Sequence, residues 1–335
     1  MSEPNEIKKR QRIGWKNQIW WIIIVFLFWY VLVTSSVGAI LFGSPDAGGG
    51  VIGRLLELSD EIKFAFFYLA TITDFIGIII FCGVTKRNRF ILRSFLPSAP
   101  CNKISKLLWG LLVGFIMNFG CIVCALLAGD IKLFLDFSMS QIPYFLFALL
   151  CVFIQSSAEE LWTRGFLYER INVCFPLWLA IAVNGALFGL LHVFNPGASV
   201  FSTIEIVVCG LSFSLAKWYT GSIWFPMGIH TAWNFTQNFL FGLPNSGIVS
   251  KVSIFGLDAA NARGSWIYDV QFGVEGGVPA LIADAALGII CLVLAARQGR
   301  LGELKERQVT PRKDPEGPQP LIEVQEEQEV QNEVV

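Results

Sequence analysis

The chain has 335 residues, of which 54% are hydrophobic and 15% charged, and its net charge is −1. A soluble domain carries about 25% charged residues, so this composition excludes an ordinary water-soluble fold and indicates a polytopic membrane protein. A net charge near zero gives no electrostatic footprint for nucleic acid. The eight cysteines (82, 101, 121, 124, 151, 174, 209 and 291) are scattered through or beside apolar segments, so no disulfide framework is expected. Cys121 and Cys124 form a CxxC on a helix without acidic or histidine neighbours and read as small packing residues.

In chain order, a basic flank comes first: Lys8, Lys9, Arg10, Arg12 and Lys16. About 24 apolar residues follow, longer than the roughly 7–15 of a signal-peptide core, which predicts an uncleaved first span. Apolar runs at 19–42, 64–84, 107–128, 142–170, 176–194, 200–218, 222–242 and 279–297 then predict an all-α, multi-pass protein with about eight transmembrane helices. The organisation expected is a cytoplasmic basic N-terminus (1–18), a single transmembrane domain (19–297), and a polar C-terminal tail (298–335) too poor in apolar residues to fold alone. The 243–278 link is rich in Gly, Asp and Asn and reads as an irregular loop. Lys and Arg concentrate in the N-terminus, the 85–106 link and the segment after 297, which places both termini in the cytoplasm by the positive-inside rule.

Ionisable residues at membrane depth are costly and mark function by default. The only two histidines, His192 and His230, lie inside apolar stretches, as does Glu159-Glu160-Leu161-Trp162-Thr163-Arg164. A tight link at Cys174-Phe175-Pro176 predicts an antiparallel hairpin between the fourth and fifth spans. At 1.5 Å per residue Glu160 and His192 then both lie roughly 20–25 Å from the turn, at similar depth. Glu160 and Arg164, four residues apart, share a face and can pair, whereas Glu159 points about 100° away and is left available as a general base. His230 and Asn234 also share a face and suit an oxyanion, or His230 can ligate a metal that Asn234 supports. His192, His230 and Glu159 together would make a ligand set for zinc.

In this order, EExxxR (Glu159, Glu160, Arg164), FxxxH (Phe188, His192) and HxxxN (His230, Asn234) resemble the motifs of the CPBP intramembrane proteases. That family, also called Abi or CAAX-protease, includes the type II CAAX prenyl endopeptidases and bacteriocin-immunity proteins. The resemblance covers 159–234 and implies a catalytic core at about 142–242 that hydrolyses a peptide bond at or within the bilayer. It implies Glu159 as the base that activates water, assisted by His192, with His230 and Asn234 stabilising the oxyanion and Glu160 with Arg164 holding the geometry. The family is conventionally described as metalloprotease, so zinc is one implied cofactor, although the same residues suit a glutamate-activated water without metal. The implied partner is a membrane-associated peptide or protein, prenylated in the CAAX case, and the bilayer itself, with no nucleic acid.

Two rival readings use the same residues. A proton- or ion-coupled transporter would carry charge on Glu159, Asp74 and Asp284, but the chain shows no internal repeat. A non-catalytic immunity or scaffold protein would bind a partner in the membrane. Asp74, Glu205 and Asp284 otherwise read as helix–helix hydrogen bonders.

Overall fold

The computed structural model describes residues 17–43, 50–97, 99 and 101–307. The basic segment 1–16 and the tail 308–335, expected to be cytoplasmic and disordered respectively, lie outside the described residues. Each apolar run forms a helix: α1 (Ile19–Leu41), α2 (Glu61–Val84), α3 (Ile104–Ala128), α4 (Met139–Cys174), α5 (Leu177–Leu191), α6 (Val200–Thr220), α7 (Trp224–Phe235, continued by a π-helical turn over Thr236–Leu240) and α8 (Val278–Arg297). Six of these are long and apolar enough to cross a bilayer. The two others fall short. At 15 residues, α5 spans about 22 Å, against a hydrocarbon core of about 30 Å. α7 has 12 α-helical residues before its π turn. Length and composition therefore support six of the eight expected spans, and the two remaining runs carry the polar residues and turns of an internal site.

Close backbone approach positions α7. A Cβ on Gly110 of α3 would lie 2.2 Å from the carbonyl oxygen of Phe225, and one on Gly114 would lie 2.2 Å from that of Ile229. Residue 228 on the facing helix is also glycine, and a Cβ there would meet Leu107 O at 2.4 Å. Apolar helices gain little from the hydrophobic effect inside lipid, so such small-residue faces supply the van der Waals contact that holds them. α5 and α6 meet similarly at Gly185, Gly189 and Gly210. The hairpin between α4 and α5 forms where expected: Phe175 is extended and Pro176 caps the start of α5.

The end of the transmembrane domain departs from expectation. Residues 298–307, assigned by composition to a disordered tail, include a 3-10 turn over Arg300–Lys305 packed beneath α6. Arg300 donates to the carbonyls of Tyr219 (3.1 Å) and Trp218 (3.3 Å) and pairs with Glu303, which in turn accepts from the Trp218 indole. The last carbonyls of a helix need donors, and a guanidinium supplies them. The 243–278 link is also less irregular than its composition suggests. Phe255–Leu257 pairs antiparallel with Leu133–Leu135, tying this link to the α3–α4 connection.

Asp74 of α2 accepts hydrogen bonds from Thr34 and from Ser35 (3.0 Å) of α1, as a helix–helix hydrogen bonder should. The indole of Trp162 in α4 donates to its main-chain carbonyl at 2.9 Å.

Candidate active site

The EExxxR motif falls where α4 changes its winding. The α-helical stretch ends at Glu160 and residues Leu161–Leu167 form a π-helical turn, every one of them buried. Such turns widen a helix by one residue and recur at functional sites. Below it the turn is anchored from two sides. Asn184 of α5 donates to Thr163 O at 2.7 Å, and Lys217 of α6 donates to Arg164 O at 2.6 Å.

Glu160 and Arg164 form the expected pair, Nη1 to Oε1 at 2.9 Å, with both side chains fully buried. The guanidinium also lies over the Phe188 ring, 4.2 Å from its centroid, and Nη2 donates to Gly210 O at 3.3 Å. Glu160 does more than pair with arginine. The same Oε1 atom is 3.1 Å from Nδ1 of His230, so one carboxylate joins α4 to α7. A carboxylate accepts, which assigns the Nδ1 proton to His230 and leaves Nε2 facing the other glutamate. That atom lies 3.7 Å from Oε2 of Glu159.

Glu159 is partly exposed to a cavity of about 880 Å³ that His192, His230, Asn234 and Gln155 also line. Its Oε1 accepts from Gln155 Nε2 at 2.5 Å, while Oε2 has no hydrogen-bond partner. Gln155 lies outside the three sequence motifs. Its carbonyl oxygen accepts from Asn234 Nδ2 at 3.0 Å, so this one amide links the base candidate to the HxxxN asparagine. Its position one turn before Glu159 is the signal that could have found it.

His192 caps the end of α5, with Nδ1 2.8 Å from Phe188 O. A carbonyl oxygen can only accept, so Nδ1 carries the proton and neutral His192 presents an Nε2 lone pair. The two imidazoles flank one aromatic ring: Phe188 lies 4.8 Å from His192 and 6.1 Å from His230, centroid to centroid. All seven motif residues thus surround or support one cavity. The histidine in direct reach of Glu159 is His230. A zinc held by His192, His230 and Glu159 would need all three to converge. Among the described residues no group of three His, Cys, Asp or Glu side chains could hold a metal ion. His230 has Nδ1 held by Glu160 and His192 has Nδ1 on Phe188 O, so each imidazole leaves Nε2 open.

The 243–278 loop closes one wall of the cavity through Glu275. Its carboxyl accepts from Trp233 Nε1 (2.9 Å), Ser246 N (2.7 Å) and Ser246 Oγ (2.7 Å). Ser246 adopts a left-handed backbone, φ 46°, that a non-glycine residue holds only when such bonds fix it. Burial pushes the Glu275 carboxyl above the ordinary carboxylate range, opposed by these donors.

Six membrane-length helices around a buried glutamate–histidine centre define an integral, multi-pass membrane protein with an internal polar site. Residues 141–236, which contain all three motifs, match the family model described as type II CAAX prenyl endopeptidase Rce1-like. Over this segment, less than a third of the chain, the sequence is similar to the CAAX-protease (CPBP) family. The chain is also similar to the uncharacterized protein YyaK of Bacillus subtilis (strain 168), 39% identical over 105 residues. That match takes in 30% of this chain and 35% of YyaK, so the chain spans about a third of the curated relative's length.

Proposed function

We propose that this protein is an intramembrane endopeptidase in which Glu159 activates water without a resident metal. The observation that carries the reading is the unpartnered Oε2 of Glu159, a residue that lines the cavity, 3.7 Å from His230 Nε2. A water bound there loses a proton to Glu159 as its oxygen attacks the scissile carbonyl. The Nε2 lone pair of His192 accepts the second hydrogen bond from that water. Negative charge develops on the carbonyl oxygen, where His230 Nε2–H, in the imidazolium form, and the Asn234 amide donate. As the C–N bond breaks, Glu159 returns its proton to the leaving amine. Glu160 orients His230, and Arg164 balances the buried charge of Glu160.

The substrate class that fits is a membrane-associated polypeptide, including a prenylated one of the CAAX type, entering an 880 Å³ cavity among apolar helices. The test is to reconstitute the purified protein with a library of membrane-anchored peptides and map new termini by mass spectrometry, with and without a strong chelator. Cleavage that survives chelation supports the reading. Cleavage lost with chelator and restored by zinc overturns its metal-free part. Transport across proteoliposomes with no new termini overturns hydrolysis itself.

A further inference from the structure

The cavity has a second polar wall that the chemistry above does not use. Glu205 of α6 and Asp284 of α8 both line it, each only 1% exposed, with their carboxyl groups facing one another across the helix interface. The two carboxyls share one hydrogen bond and Cys209 bonds Asp284, yet Glu205 Oε1 and Asp284 Oδ1 still have no partner. Buried acceptors are almost always satisfied, so two orphaned carboxyl oxygens on one cavity wall require an explanation. Glu275, nearby on the loop, is different: both its oxygens are already occupied by Trp233 and Ser246. No lysine or arginine among the described residues forms an ion pair with Glu205 or Asp284.

From these orphaned acceptors we infer that Glu205 and Asp284 form a subsite for a cationic side chain, lysine or arginine, of the bound polypeptide. Such a group brings several N–H donors and positive charge to a place that offers acceptors and no cation of its own. The inference rests on the endopeptidase reading only for the identity of the ligand as a polypeptide. Position follows from α6. Glu205, Cys209 and Phe213 line the cavity at successive turns of one face, and the Phe213 ring lies 6.0 Å from that of His230. Eight residues of helix put the acidic pair about 12 Å from the level of His230. At about 3.3 Å per residue of extended peptide, and with the reach of a long side chain, the basic residue sits about two to four positions from the scissile bond.

The probe is a set of short, capped leucine-alanine peptides with one lysine walked through the sequence, each matched by a norleucine counterpart. Binding is measured by fluorescence anisotropy to the full chain in lipid nanodiscs, as wild type and in the Glu159→Gln background so that turnover does not deplete the probe. The expected result is a lysine preference of about tenfold in Kd at one or a few positions. Glu205→Gln with Asp284→Asn should shrink that ratio to about twofold or less. Equal binding of both peptides, binding of neither, or a preference that survives the double substitution overturns the subsite. The wild-type comparison stands even if the double variant does not fold. Lysine-selective binding with no cleavage by wild type would leave the subsite standing and refute the endopeptidase.

Discussion

Nε2 of His230 lies 3.7 Å from Oε2 of Glu159, and the opposite nitrogen of the same ring is held 3.1 Å from Glu160. Two adjacent glutamates on one helix therefore divide their work. Glu160, fully buried and paired with Arg164, fixes the imidazole; Glu159, on the cavity, keeps one oxygen free.

Removing Arg164 leaves a buried carboxylate without its cation. Arg164→Ala should destabilise the protein by about 3–5 kcal/mol, while replacing both partners by apolar residues (Glu160→Leu with Arg164→Met) should cost much less. Thermal unfolding of both variants in detergent checks this; equal losses would show that the charge pair is not what the fold depends on.

Much of this site was legible because its parts are local. The Glu160–Arg164 pair needs only a spacing of four on a helix, and the α4–α5 hairpin follows from one proline-marked turn. What was not legible depends on contacts between distant segments. Glu160 and His230 are 70 residues apart, and no spacing rule assigns Nδ1 of one to the carboxylate of the other. Asp74, Glu205 and Asp284 all read as helix–helix bonders, and Glu205 and Asp284 do bond across α6 and α8, but each keeps one oxygen without a partner, which no spacing rule shows. Six helices rather than eight reach membrane length, because hydropathy does not show that α5 and α7 are shorter than the apolar runs that contain them. The order at Arg300–Lys305 escaped because charged residues read as tail until the carbonyls they satisfy are in view.

Helix α7 holds both His230 and Asn234, and its seat on α3 allows no side chain at Gly114. Gly114→Ala places a methyl against the Ile229 carbonyl and should cost about 1–3 kcal/mol. Cleavage should fall by more than the loss of folded protein explains, since the helix carrying His230 must move. Comparing specific activity with melting temperature separates the two effects.

Gln155 links Glu159 to Asn234 through its side-chain amide. Gln155→Ala should lower kcat about 10- to 100-fold through mispositioning, with little change in melting temperature. A kcat unchanged from wild type would mean the amide bridge plays no part in holding Glu159.

The Glu275 carboxyl is raised by burial above the value it has in the unfolded chain. A raised acid binds its proton more tightly when folded, so its stabilising effect is complete below the ordinary glutamate pKa of about 4.3. That contribution is lost as pH rises through the higher folded value. Hydrogen exchange across 243–278 should therefore be slowest at acidic pH and accelerate upward through that window in wild type. In Glu275→Gln, which cannot titrate, this dependence should disappear once intrinsic exchange rates are removed.

The most direct measurement is the cleavage rate of a reporter peptide identified by the library screen, comparing purified wild type with Glu159→Gln in the same nanodiscs. Loss of a general base should reduce kcat by about 10²–10⁴, with the variant still folded and still binding the peptide. Turnover by Glu159→Gln within a few-fold of wild type would contradict the assignment of Glu159 as the group that activates water.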